Sequence, residues 1–284
     1  MLVNMKKMLL KAKKQKYAVG HFNFNNLEWA KAILEECEDL RAPVILGVSS
    51  RAAAYMGGYQ SVVYLVKGLI VSMGITIPVA IHLDHGESFD ECKRAIDAGF
   101  TSVMIDASRY SIDENIAISK LVVDYAKSRR VSVEAEVGCI GGKEDQVVAE
   151  TMYAVPEECI RMVNEAGVDC LTPALGSVHG QYNGEPKLGF KEMEYLSKTL
   201  RNTPLVLHGG SGIPDFQIHM SVERGTAKIN VATECQIQWA KAVREVLTND
   251  PNVIDPRKII GPGMLAIRKV VREKCSVFGC VGKA

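Results

Sequence analysis

The chain has no surplus of charge: across 284 residues, 34 basic side chains meet 33 acidic ones. A protein that draws in nucleic acid or an anionic membrane over long range carries a basic excess, so neither partner is expected. None of the eight cysteines (Cys37, Cys92, Cys139, Cys159, Cys170, Cys235, Cys275, Cys280) belongs to a C-x-x-C pair. Their scatter suits reduced thiols in a cytoplasm rather than a disulfide framework. No apolar stretch is long enough to span a bilayer. The opening MLVNMKKMLLKAKKQK lacks the long apolar centre and small-residue cleavage site of a secretory signal. A cytoplasmic protein is the expectation.

Internal repeats and low-complexity linkers are missing too, which favours one domain over residues 1–284. So is the dinucleotide fingerprint: GCIGGKED at 138–145 is glycine-rich but does not fit G-x-G-x-x-G leading into a helix. What the chain does have is 47% hydrophobic residues, enough for a substantial core, and a recurring pattern. Strand-like runs at 18–24, 44–48, 79–83, 101–105, 131–137, 170–173, 205–207 and 227–231 alternate with amphipathic helical stretches such as 27–40, 88–98, 113–128 and 156–166. AGF at 98–100 and AGV at 166–168 read as helix ends with glycine at the C-cap. Eight βα units in this length predict the α/β class and a (β/α)8 TIM barrel. Two segments, 138–155 and 174–190, are too long to be simple connections, and long loops in compact domains are often functional.

Barrels of this kind build their sites at the carboxyl ends of the strands. Those ends are rich in polar groups: Asp84 and His85, Asp106, Glu134 and Glu136, His179, His208, then Asn230 and Thr233. Three of the six histidines, His85, His179 and His208, sit just past strands three, six and seven. Three neutral imidazoles with one open position suit a catalytic Zn²⁺. His21 and His82 read as structural and His219 as a helix-surface residue. Asp84 and His85 are adjacent, so both reach the site only if the strand bends there, which Gly86 would permit. Glu134 and Glu136 share a face of a central strand with no solvated side, so at least one must be paired or metal-bound. HGGSG at 208–212 and NVAT at 230–233, including Val231 and Ala232, lie where barrels hold phosphate with backbone N–H groups.

These strings resemble the class II, zinc-dependent fructose-1,6-bisphosphate aldolases and their tagatose-bisphosphate relatives. The resemblance runs through YAVGHFNFNN, VAIHLDHG, SVMIDAS, VEAEVGCIGGKED, PALGSVHG, LHGGSGIP, KINVATE and DPRK, essentially the whole chain. It implies a lyase of carbohydrate metabolism that cleaves a phosphorylated ketose to dihydroxyacetone phosphate and glyceraldehyde 3-phosphate through an enediolate that zinc stabilises. His85, His179 and His208 would bind that zinc, and Asp106 and Glu136 match a second, alternative metal site. Asp84 matches the residue that exchanges a proton with the C4 hydroxyl, and Glu144 the loop glutamate that deprotonates the three-carbon ketone. Asn23, Ser49, Gly180, Gly209, Gly210, Ser211, Asn230 and Thr233 correspond to substrate and phosphate contacts. Gly180 and Ser211 also match the surroundings of a monovalent cation, Na⁺ or K⁺. Arg257 matches an arginine that reaches the distal phosphate from a neighbouring subunit, implying a homodimer or homotetramer.

One position departs from the fructose-type pattern. Those enzymes usually have a polar residue where this chain has Ala232, whereas tagatose-type members resemble NVATE; the carboxyl-terminal KAVREVL and DPRK resemble the fructose type. Fructose 1,6-bisphosphate is the expected substrate and the C4 epimer the alternative. Two rivals are weighed beside this reading. A Schiff-base aldolase would use Lys228, which shares a strand face with Asn230 and Thr226. A non-catalytic sugar-phosphate sensor would have no use for Asp84 and Glu144.

Overall fold

Valine, isoleucine and leucine concentrate in short runs, and the structure makes strands of them. A computed structural model describes residues 1–144, 147–149, 152–182 and 184–284. The strands in chain order are β1 (Val19–Asn23), β2 (Val44–Ser49), β3 (Val79–Gly86), β4 (Ser102–Ile105), β5 (Ser132–Val137), β6 (Gly141–Glu144), β7 (Val147–Ala149), β8 (Cys170–Pro173), β9 (Val178–His179), β10 (Leu205–Leu207) and β11 (Thr226–Val231). All except β6, β7 and β9 close into a barrel in the order β1-β11-β10-β8-β5-β4-β3-β2. Each neighbouring pair is parallel. With helices between the strands this is the anticipated (β/α)8 TIM barrel.

The helix boundaries have local causes. Asn26 caps the helix Leu27–Asp39 by accepting from Trp29 N, and Ser88 caps Phe89–Ala98 by accepting from Glu91 N. Ser111 and Glu114 form a reciprocal capping box at Ile112–Lys127. Gly99 (φ 107°) and Gly167 (φ 78°) end their helices in the left-handed conformation, as the two AG signals predict. The stretch read as one helix at 156–166 divides into Pro156–Arg161 and a single π turn, Met162–Ala166.

Apolar residues on the outer side of the barrel, such as Val103, Ile105, Leu171 and Ile229, are buried with helix residues Ile33, Leu34, Val66 and Ile267 in one core. The inside is polar, with His21, His82, Ser102, Ser132, Glu134 and Lys228 all buried. The amino-terminal helix Met5–Gln15 buries Met5, Met8, Leu9 and Ala12. Met5 N donates to Ser132 Oγ at 3.0 Å, and the terminal ammonium donates to Ile77 O at 2.7 Å. The amino end of the barrel is therefore plugged, leaving the carboxyl rim for chemistry. Among the described residues no helix is long and apolar enough to cross a membrane.

Candidate active site and metal centre

Strand β3 delivers two site residues because its end is irregular. The register against β4 shifts between Leu83 and Gly86, and His85 itself takes a left-handed φ of 48°. A left-handed non-glycine residue is uncommon and re-aims its side chain. The bend anticipated at Gly86 thus falls one residue earlier. Gly86 serves a different need: a Cβ there would sit 2.8 Å from Met104 O.

His179 lies on β9, a two-residue strand inside the long segment 174–190. Residues of the two long segments pair here, β6 with β7 and β9 in a three-stranded sheet. Gly142 lets β6 approach, since a Cβ at that residue would meet His179 O at 2.2 Å. His208 follows β10 directly. Its neighbour Gly209 has φ 63°, and a Cβ there would meet Val178 O at 2.1 Å. Glycine is required at both contacts, and together they press the His179 and His208 segments against each other.

The three rings converge. His85 Nε2 is 3.0 Å from His208 Nδ1, and His179 Nε2 is 3.5 Å from the same atom. Zn–N bonds of about 2.0–2.1 Å in tetrahedral array place ligand nitrogens about 3.3 Å apart. The observed spacings bracket that value, and all three rings are buried. Carboxylates orient two of the rings from behind: Asp106 Oδ2 lies 2.7 Å from His85 Nδ1, and Glu134 Oε1 lies 3.0 Å from His208 Nε2. Ser108 in turn holds Asp106, donating from Oγ at 2.7 Å and from its backbone N at 3.2 Å. The residues present fit a divalent zinc ion. A second donor set, His85, Asp106 and Glu136, adjoins the first through the shared histidine. Glu136 accepts from Ile140 N at 2.9 Å, while its Oε2 has no partner among the described residues.

Electrostatics sort the ionisable groups. Burial pushes His179 well below its ordinary value, as do the neighbouring rings of His85 and His208. Burial also lowers His208, against the pull of Glu134. Both therefore stay neutral with a lone pair to offer. Burial opposes charge on His85, but Asp106, Asp84 and Glu136 outweigh it and raise the ring to about 10. Asp84 is held well below the usual carboxylate range: burial pushes it up, and the His21, His85 and His208 rings with the Lys228 ammonium overcome that. Glu136 goes the other way, driven well up by burial and by Asp106.

Asn23 Nδ2 donates to Asp84 Oδ2 at 2.8 Å and Asn230 Nδ2 to Asp84 Oδ1 at 3.4 Å, so both amides embrace the carboxylate. Ser49 caps the short helix Ser50–Tyr55 and stands beside Asp84 in the β2–β3 register. Gly180, Ser211 and Thr233 line one cavity of about 490 Å³ with Tyr182, Glu234 and Lys274. Ser211 Oγ accepts from Glu234 N in the first turn of helix Thr233–Asn249, and Gly210 N donates to Asn230 O at 2.8 Å. Val231 ends β11 opposite Phe22, and Ala232 precedes the helix as its N-cap. Arg257 does not join the cluster; it is on the surface, paired with Asp255 at 2.9 Å. Glu144 ends β6, and its side chain lies outside the described residues.

Sequence reasoning did not assign Tyr182, whose hydroxyl accepts from Val178 N at 3.2 Å and donates to Gly209 O at 2.8 Å. It ties the His179 strand to the residue after His208. Lys228 is not a free amine: it is fully buried, with Nζ 3.0 Å from Glu134 Oε2 and 2.8 Å from Asn230 Oδ1. A Schiff-base nucleophile must be reachable by a carbonyl, which this geometry denies.

A closed (β/α)8 barrel whose carboxyl rim gathers three imidazoles and several buried carboxylates defines a metal-dependent barrel enzyme. The family model for fructose-bisphosphate aldolase class II matches residues 3–283, and the chain belongs to that zinc-dependent family of lyases. It is 61% identical over 284 residues to a fructose-bisphosphate aldolase of Geobacillus stearothermophilus, covering 100% of this chain and 99% of that one. A fructose-bisphosphate aldolase of Staphylococcus epidermidis is 58% identical with the same coverage. Among solved structures, the YdjI aldolase of Escherichia coli superimposes with a TM-score of 0.85 at 29% identity, each chain covered in full.

Proposed function

We propose that this chain cleaves fructose 1,6-bisphosphate reversibly to dihydroxyacetone phosphate and glyceraldehyde 3-phosphate, in one barrel domain spanning residues 1–284. The observation that carries the reading is the meeting of three imidazole nitrogens, at 3.0 and 3.5 Å, beside an ionised Asp84. Full-length relatives named fructose-bisphosphate aldolase support that ketose over its C4 epimer, notwithstanding Ala232.

His85, His179 and His208 would hold the zinc. Bound there, zinc supplies Lewis acidity that polarises the substrate carbonyl and stabilises charge as the C3–C4 bond breaks. Asp84 accepts the C4 hydroxyl proton, for which it must be ionised, and its depressed proton affinity provides that state. Asn23 and Asn230 fix both oxygens of Asp84 so that its lone pairs face the substrate rather than swing. Glu144 handles the second proton transfer, at the carbon of the three-carbon ketone.

Gly180, Gly209, Gly210, Ser211, Asn230 and Thr233 surround the phosphate end, where the cavity beside helix Thr233–Asn249 offers a helix amino terminus to an anion. Gly180 and Ser211 would stand beside a monovalent cation, Na⁺ or K⁺. Asp106 and Glu136 with His85 would offer the divalent ion an alternative site. Arg257, exposed and paired with Asp255 on its own chain, reaches the distal phosphate of a second copy in a homodimer or homotetramer.

The test is a direct comparison of fructose and tagatose 1,6-bisphosphates with purified, zinc-loaded protein. Faster cleavage of the fructose substrate, loss of activity in chelator and no adduct trapped by borohydride are expected. Chelator-resistant turnover with a borohydride-trapped lysine would overturn the proposal.

A further inference from the structure

The most deeply buried cation in the barrel has no part in the chemistry assigned above. Lys228 Nζ lies 3.1 and 3.0 Å from the two oxygens of Glu134 and 2.8 Å from Asn230 Oδ1, and neither Lys228 nor Glu134 has exposed surface. Replacing a buried ion pair by apolar side chains is often neutral or stabilising, so stability alone does not account for this one.

Its donors and acceptors leave little freedom. An ammonium only donates, so Asn230 must turn Oδ1 toward Lys228, and Nδ2 is left pointing at Asp84 Oδ1, 3.4 Å away. Glu134, clasped through both oxygens, also accepts from Thr172 Oγ1 at 2.8 Å and lies 3.0 Å from His208 Nε2. A carboxylate beside a cation has only lone pairs to offer. His208 must therefore carry its proton on Nε2, which turns the lone pair of Nδ1 toward His85 and His179.

We propose that Lys228 is a positioning residue with two outputs: through Glu134 it fixes the ring state of His208, and through Asn230 it aims an amide at Asp84. The inference rests on the three-histidine reading of the site. One buried ammonium thereby sets both the metal ligand and the proton-transfer carboxylate before substrate arrives. Neither Lys228 nor Glu134 touches a reacting atom.

Three chains test this: the natural protein, Lys228→Met, and the double variant Lys228→Met with Glu134→Gln. Glutamine keeps an oxygen for His208 yet needs no counter-charge, so the double variant separates the two outputs. Isotope-labelled imidazole NMR of the metal-free natural protein should show His208 protonated at Nε2; protonation at Nδ1 overturns the proposal. Lys228→Met should lose at least about tenfold in zinc affinity by chelator competition, with a mixed His208 ring state. The double variant should recover zinc affinity to within a few-fold while its kcat stays at least about tenfold low, because Asn230 remains unheld. Recovery of both, or of neither, contradicts the two-output scheme, as does a Lys228→Met chain with natural zinc affinity and kcat. If Lys228→Met does not fold, the natural protein and the double variant still decide. The ring-state measurement needs no zinc, so it fails or succeeds separately from the aldolase assignment, which fails if the natural protein binds no zinc at all.

Discussion

His85 Nε2 and His208 Nδ1 face each other at 3.0 Å. Two lone pairs cannot rest so close without a proton or a cation between them. Without metal the raised His85 supplies that proton, and zinc would displace it and stabilise the fold: at about a thousandfold excess over its Kd the ion adds about 4 kcal/mol to unfolding. Thermal denaturation with and without stoichiometric zinc checks this. Dialysis against chelator should abolish turnover and zinc should restore it; unchanged activity and melting temperature after metal removal would refute the centre.

Asp84 is held by Asn23 and Asn230 yet contributes no nitrogen or oxygen to the three-histidine set. Asp84→Ala should keep full zinc content while kcat falls at least about a hundredfold, the usual worth of a positioned base. Metal analysis alongside steady-state kinetics separates the two effects. A fully active Asp84→Ala chain would remove Asp84 from the proton-transfer role.

Gly209→Ala should injure the site from outside it. The added methyl would need the space of Val178 O, 2.1 Å away, at a backbone φ of 63° that alanine disfavours. The segment bearing His179 must move, so we expect more than about 1 kcal/mol of lost stability and at least about tenfold weaker zinc binding. Urea titration and chelator competition read these separately; loss of stability with intact zinc affinity would show that the glycine merely serves the turn.

Much of this site is legible in the sequence because the barrel rule turns strand ends into neighbours. Once eight apolar runs are recognised, His85, His179 and His208 must share a rim. Local geometry is less legible. The left-handed residue at the end of β3 is His85 and not Gly86, because a bulge against β4 decides the backbone there and no propensity encodes it. Strand β9 is two residues long and pairs across a glycine contact, too little pattern to distinguish from loop. The two-residue spacing of Lys228 and Asn230 reveals a shared face, yet only the folded barrel brings Glu134 from β5 onto the same ammonium.

Glu38 gives a pH-dependent prediction on the scaffold of β3. Its carboxylate accepts from Thr76 N at 2.8 Å, Ile77 N at 3.1 Å and Thr76 Oγ1 at 2.6 Å, just before that strand. Burial pushes its proton affinity up, but the bonds from Thr76 and Ile77, with nearby Arg41, hold it below the ordinary value. A depressed folded value means stability that is present above the unfolded pKa, about 4.3, and lost as pH falls through the folded one. Glu38→Gln should cost about 1 kcal/mol at pH 7. In urea titrations across pH, the gap to the natural chain should close in acid; a constant gap would show that charge plays no part.

Anomalous diffraction at the zinc absorption edge locates the ion relative to the three rings. A single strong peak per chain is expected within bonding distance of His85 Nε2, His179 Nε2 and His208 Nδ1. A peak elsewhere in an active, zinc-loaded crystal, with those three nitrogens left uncoordinated, would contradict it.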